Sequence, residues 1–126
     1  MTTSVQNGVT LYHNPNCSKS RGALELLTKF TQDNNLTLEL VEYLQTPPTR
    51  EALSELLRQL PSPPEQMVRN DKNFKALELN AEDYLNAESV TALLLAHPEL
   101  MQRPIAVYND KAAIGRPPED LLELFR

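Results

Sequence analysis

Val9-Thr10-Leu11-Tyr12-His13-Asn14-Pro15-Asn16-Cys17-Ser18-Lys19-Ser20-Arg21 is the stretch that decides the fold. Val9–Tyr12 is rich in strand-favouring residues and predicts a first strand. Pro15 then fixes one φ angle in a turn over His13–Asn16. Beyond the turn, Ala23, Leu24, Leu26, Leu27 and Phe30 recur at helical spacing, which predicts a helix over Ser18–Phe30. Cys17, the single cysteine of the 126 residues, therefore falls on a strand-to-helix turn. A helix N-terminus there stabilises negative charge. His13, Lys19 and Arg21 lie close in sequence, and Ser18 and Ser20 can donate hydrogen bonds to an anion. Such surroundings lower a thiol below its ordinary pKa of about 8.5. A lone cysteine is more often a small buried hydrophobe, but the polar, cationic flanks fit that reading poorly.

Outward from this stretch the pattern stays α/β. Leu36-Thr37-Leu38-Glu39-Leu40 alternates and continues through Val41 and Tyr43, predicting a second strand. Strand, helix and strand at this spacing make a βαβ unit, whose strands are parallel. Thr46-Pro47-Pro48 stops the second strand. Thr49 is placed to cap a helix whose apolar positions are Ala52, Leu53, Leu56, Leu57 and Leu60. Pro61-Ser62-Pro63-Pro64 ends it. Short helical pieces are expected over Glu65–Arg69 and around Phe74, Leu77 and Leu79, and Asn86 caps a further helix over Ala87–His97. Pro104–Tyr108, Asn109-Asp110 and Lys111–Ile114 read as a β-hairpin. Gly115-Arg116-Pro117-Pro118 opens a terminal helix with Glu119 and Asp120 in its first turn. The expected architecture is a thioredoxin-like α/β fold, one domain over residues 1–126, with a helical insertion between its βαβ and ββα halves. Residues 1–8 are expected to form a flexible arm.

Composition narrows the functional classes. A formal charge of −5 disfavours a general nucleic-acid surface, which needs a basic stripe. One cysteine forms no internal disulfide, so nothing ties the chain to an oxidising compartment. The first residues contain no apolar signal-like core, and no apolar run reaches the length of a membrane span. A cytoplasmic monomer with no membrane or nucleic-acid partner is expected.

Two features define the chemistry. Position 20 is serine, so the stretch reads Cys-x-x-Ser. A Cys-x-x-Cys pair resolves its own mixed disulfide; here any covalent adduct on Cys17 needs an outside thiol for release. Arg69, Arg103 and Arg116 fall at element boundaries, unlike Arg50, Arg58 and Arg126, which read as surface charges. Arginine offers a planar fork of donors suited to tetrahedral oxyanions. Arg103-Pro104, at the start of the third strand, is placed to form a corner near the thiol.

His-Asn-Pro-x-Cys-x-x-Ser-Arg at 13–21, Tyr-Leu-x-x-Pro-Pro at 43–48, Val-Arg-Asn at 68–70, His-Pro-x-Leu-x-x-Arg-Pro-Ile at 97–105 and Gly-Arg-Pro-Pro-Glu at 115–119 resemble the glutaredoxin-dependent arsenate reductase family. The resemblance runs from about residue 9 to the end, and it implies a thioredoxin-like fold with a helical insertion. It implies Cys17 as nucleophile and His13 as the histidine that favours its thiolate. It places Asn14, Ser20 and Arg21 in the loop around the anion, an active-site loop that Ser18 and Lys19 complete. Arg69, Arg103 and Arg116 become the arginines that hold the oxyanion, with Pro104 following the second. It further implies arsenate as substrate, glutathione as co-substrate, glutaredoxin as partner, and no bound cofactor or metal. Ser18 and Lys19 stand where the best-known members carry Gly and Thr, which points to a short branch of the family.

Two other readings share the fold. One is a thiol-dependent reductase or glutathione-linked enzyme acting on another oxyanion or a disulfide. The other is a Spx-like redox regulator that binds RNA polymerase. Ser20 removes the Cys-x-x-Cys switch many such regulators use, and the three arginines favour an enzyme.

Overall fold

A computed structural model describes residues 8–126. The chain forms two compact units, one built from the residues up to Tyr43 together with Arg103–Arg126, the other from Leu44–Gln102. The first unit carries the sheet, and the second is the helical insertion expected between the two halves of that sheet.

In the first unit β1 (Gly8–His13) is followed by α1 (Ser18–Asp33) and β2 (Thr37–Glu42). After the insertion come β3 (Ile105–Tyr108), β4 (Lys111–Ile114) and a 3₁₀ helix over Pro118–Phe125. Among the described residues the strands form one sheet in the order β2-β1-β3-β4. β1 pairs parallel with β2 and antiparallel with β3, and Leu11 stands opposite both Leu40 and Ala106. This is the thioredoxin-like α/β arrangement anticipated from the sequence.

Along β1, Val9, Leu11 and His13 point to one face and are buried. Val9 and Leu11 join Ala23 and Leu27 of α1, Ala106 of β3, and Leu121 and Leu124 of the 3₁₀ helix in one apolar cluster. Phe125 stacks at 4.2 Å from Phe30 and 4.8 Å from Tyr108 at its margin. Close approach of neighbouring side chains shapes this unit at Gly115: a Cβ there would lie 2.9 Å from Leu121 Cγ and 3.0 Å from Pro104 Cγ.

Several details differ from the sequence reading. Of the expected arm, residues 1–7 lie outside the described residues, while Gly8 already belongs to β1. His13 is the last residue of β1, not a turn residue, because the antiparallel and parallel ladders run on to Tyr12 and Glu42. At β2 the alternation holds at Leu36 and Leu38, which pack against the apolar cluster, and ends at Leu40, 39% exposed, as an edge strand covered on fewer sides allows. The terminal helix is 3₁₀ over its length. Both Arg103–Pro104 and Arg116–Pro117 are cis. The hairpin turn matches its sequence. Asn109 and Asp110 take φ of 52° and 65°, the left-handed pair that suits the twist of a two-residue hairpin.

The second unit holds α2 (Arg50–Gln59), α3 (Lys72–Ala76) and α4 (Ala87–Ala96), with short 3₁₀ turns between them. Each start has a side-chain cap. Thr49 Oγ1 accepts from the Ala52 amide at 3.1 Å, and Asn86 Oδ1 from the Ser89 amide at 2.8 Å. Asp71 accepts from the amides of Asn73 and Phe74. Each such cap is worth about 1 kcal/mol. Buried Leu53 and Leu56 of α2 and Val90, Leu93 and Leu94 of α4 supply the core of this unit. The expected helix over Glu65–Arg69 is a 3₁₀ turn over Pro64–Met67, because the backbone from Met67 onward pairs instead with Leu100–Gln102. The Gln102 amide donates to Met67 O and the Arg69 amide to Leu100 O, both at 2.7 Å.

The contacts at Gly115 predict that Gly115→Ala destabilises the fold by about 1–3 kcal/mol, the usual range for overpacking. Urea denaturation checks it: a lowered midpoint is expected, and an unchanged midpoint means Leu121 and Pro104 yield freely.

Candidate active site

Cys17 is the N-cap of α1, with φ −107° and ψ 125°. Its amide donates to Asn14 O at 3.0 Å and its carbonyl accepts from the Arg21 amide at 3.0 Å, so the helix begins at the cysteine itself. The turn before it is wired by short-range bonds. Asn14 Oδ1 accepts from the Asn16 amide at 3.0 Å, an Asx turn. The Asn14 amide donates to Ser20 Oγ at 3.3 Å, tying the end of β1 to the first turn of α1. Arg21 Nη1 donates to Pro15 O at 2.9 Å and braces the turn from outside. Asn14 and Ser20 are buried; Ser18, Lys19 and Arg21 are exposed, and Cys17 lies between these extremes.

The first turn of α1 contains no acidic residue, so its free amides and the charges of Lys19 and Arg21 make one electropositive rim. Burial alone would push the Cys17 thiol up. The Ser20 amide, a hydrogen bond from the Arg103 side chain and the Lys19 amide outweigh burial and bring the thiol from 9.0 down to about 7. Near neutral pH about half of Cys17 is then thiolate. The Ser20 and Lys19 amides thus serve the sulfur as donors at the head of the helix.

His13 behaves differently. Burial pushes it below its ordinary 6.5, Glu42 and the Ser20 backbone pull it up, and Arg21 pushes it down again, with a lowered value as the result. It is 3% exposed and its Nδ1 makes no hydrogen bond. The imidazole is therefore neutral around pH 7, and the groups that lower Cys17 are the amides and Arg103. Glu42 stands opposite His13 across the β1–β2 ladder, a pairing no local motif reveals.

Arg103 and Arg116 occupy the same unit as Cys17. Arg103 is half-buried and reaches the sulfur. Arg116 is exposed, and its Nη1 donates to the Arg103 carbonyl at 2.9 Å. Pro104 is buried, and its carbonyl accepts from the Gly115 amide at 2.9 Å. Arg69 belongs to the second unit. Its Nε donates to Asp71 Oδ2 at 3.1 Å, with both side chains only 20–26% exposed. Burial pushes Asp71 up, but the Phe74 amide and Arg69 pull harder, and its pKa is lowered overall. Sequence reading overlooked Asp71; its position just before Lys72-Asn73-Phe74, an N-cap position, was the available signal. Among the described residues, no three His, Cys, Asp or Glu side chains gather as metal ligands. No helix there is long and apolar enough to cross a membrane.

A cysteine at the head of the first helix of a thioredoxin-like sheet, met there by an arginine from the edge of β3, defines a thiolate-based α/β protein. The sequence model of the ArsC family matches residues 12–124, and the chain belongs to that family. It is 43% identical over 118 residues to an uncharacterised protein of Escherichia coli K12, covering 92% of this chain and 95% of that one. It is 40% identical over 119 residues to the arsenate reductase of Haemophilus influenzae, covering 92% and 97%. The solved structure of an arsenate reductase from Vibrio cholerae superposes with a TM-score of 0.78 at 37% identity, over 93% of this chain and 97% of that one.

The thiol makes a direct pH prediction. Alkylation of Cys17 by iodoacetamide should rise with pH along a titration curve centred at about 7. A curve centred at 8.5 or above, the value of about 8.5 for a free thiol, contradicts the electrostatic account. Because the folded thiol lies below its ordinary value, the stability it contributes is fully present above pH 9 and fades as pH falls through about 7.

Proposed function

We propose that this protein reduces arsenate to arsenite through a covalent adduct on Cys17, with glutathione as reductant and glutaredoxin as the releasing partner. The observation that carries the reading is the Cys17 sulfur itself, held near pKa 7 by the first turn of α1 and hydrogen-bonded by Arg103. Relatives that bear the name arsenate reductase, at 33–40% identity over most of the chain, supply the substrate.

The oxyanion meets the amides of α1 and the guanidinium of Arg103, both suited to spread negative charge. Family resemblance adds Arg116 and Arg69 to this clamp. Cys17 thiolate attacks arsenic, one oxygen leaves as water after protonation, and a sulfur–arsenic bond forms. Glutathione thiolate then attacks the Cys17 sulfur. The electron pair of the sulfur–arsenic bond passes to arsenic, which falls from the five to the three state and departs as arsenite. Cys17 is left in a mixed disulfide with glutathione. Ser20 offers no second thiol to break it, so the thiol of glutaredoxin takes the glutathionyl group and frees Cys17.

The test is arsenite release from purified protein supplied with arsenate, glutathione and glutaredoxin, beside Cys17→Ser. Turnover that vanishes in Cys17→Ser is expected; no turnover of the wild type at millimolar arsenate overturns the proposal. Arg103→Ala is expected to lower kcat/KM about tenfold or more, since a hydrogen bond to a charged group is worth about 1.5–3 kcal/mol. Arg69→Ala tests the third arginine in the same assay, and unchanged kinetics there would remove it from the clamp.

A further inference from the structure

The hydrogen bond from Arg116 to the Arg103 carbonyl does something a substrate clamp would not need. The β3–β4 ladder pairs Ile105 with Ile114. The ladder ends at that pair, so Arg103 and Pro104 precede β3 while Gly115 and Arg116 follow β4. The Gly115 amide donates to Pro104 O at 2.9 Å, but Pro104 has no N–H to return the bond. Arg103 O lies outside the ladder, and the Arg116 side chain donates to it: Nη1 reaches across 13 residues to Arg103 O at 2.9 Å.

We propose that Arg116 is a positioning residue: its hydrogen bond to the Arg103 carbonyl fixes the backbone from which the Arg103 guanidinium is presented to the Cys17 sulfur, before any oxyanion arrives. Arg116 is bonded to the Arg103 carbonyl, so on this proposal its influence on Cys17 runs through Arg103. A surface arginine that merely waits for substrate has no reason to be committed to a backbone carbonyl at the base of its neighbour. On this arrangement Arg116 keeps free donors on the rest of its guanidinium, so holding Arg103 does not exclude a contact with a bound oxyanion.

The inference rests on the reading of Cys17 as the reactive nucleophile, and it is tested without substrate, so its failure is distinct from a failure of arsenate reduction. The readout is the pH profile of Cys17 alkylation in wild type, Arg116→Met, Arg116→Lys, Arg103→Met and the Arg103→Met/Arg116→Met double variant, with circular dichroism to verify folding. Arg116→Met removes the donor at similar length. It is expected to shift the alkylation curve upward and to slow reaction at pH 7 about fivefold, as a rise of one pKa unit from a midpoint near 7 gives. Arg116→Lys, which retains a donor and the charge, should fall between wild type and Arg116→Met. In the Arg103→Met background the second substitution should change nothing further, because the guanidinium it positions is gone. An Arg116→Met profile identical to wild type overturns the proposal. So does an equal upward shift in both backgrounds, which would mean that Arg116 acts through its own charge. If Arg116→Met does not fold, Arg116→Lys decides: its profile must shift in the direction given, and a wild-type profile overturns the proposal.

Discussion

An anion at the N-terminus of α1 is the interaction on which the rest of this chain depends. Free backbone amides at a helix start carry partial positive charge. Here no acidic side chain in the first turn competes for them. Cys17 stands at the N-cap, the position where Ser, Thr, Asp or Asn commonly accepts from these amides. A thiolate in that place takes over the role of a capping oxygen while remaining a nucleophile. The field that favours the thiolate would favour an oxyanion beside it as well.

The sheet supplies what the helix end cannot. β1 delivers the chain to the turn, and the bond from the Asn14 amide to Ser20 Oγ locks that turn onto α1. Ser20 is thereby doubly engaged, its hydroxyl holding the strand end and its amide serving the sulfur. From the other neighbour of β1, the approach to β3 brings Arg103, a fixed positive charge that complements the helix dipole. The first unit thus assembles its site from two segments distant in sequence, the turn from β1 into α1 and Arg103 before β3. In the second unit the Arg69 guanidinium is already paired with Asp71. Any anion that recruits it must share it with that carboxylate.

The local parts of this arrangement were legible in the sequence. Pro15 with Asn14 marked the turn, and the apolar spacing from Ala23 to Phe30 put the helix start beside Cys17. Thr49 and Asn86 announced their helices as caps, and Asn109-Asp110 announced a hairpin through its tolerance of positive φ. The non-local parts were not legible. Nothing in the neighbourhood of His13 shows that it ends a central strand opposite Glu42, where burial and that carboxylate pull on it in opposite directions. The alternation of Leu36, Leu38 and Leu40 reads like a half-buried strand and holds at the first two, but β2 lies at the edge of the sheet and Leu40 is left exposed. The bond between Arg116 and the Arg103 carbonyl spans 13 residues, across the β3–β4 hairpin, and no local motif announces it. Chemistry-bearing residue types are visible one by one; which of them act on the sulfur depends on the fold.

The central claim is that one thiol attacks an oxyanion and that the electrons come from an outside thiol. The most direct measurement is the intact mass of the protein after arsenate and glutathione are added without glutaredoxin. The account predicts one glutathione per chain, attached at Cys17, accumulating only when arsenate is present and disappearing when glutaredoxin is added. A protein that stays unmodified under these conditions, or that gains glutathione equally without arsenate, would contradict it.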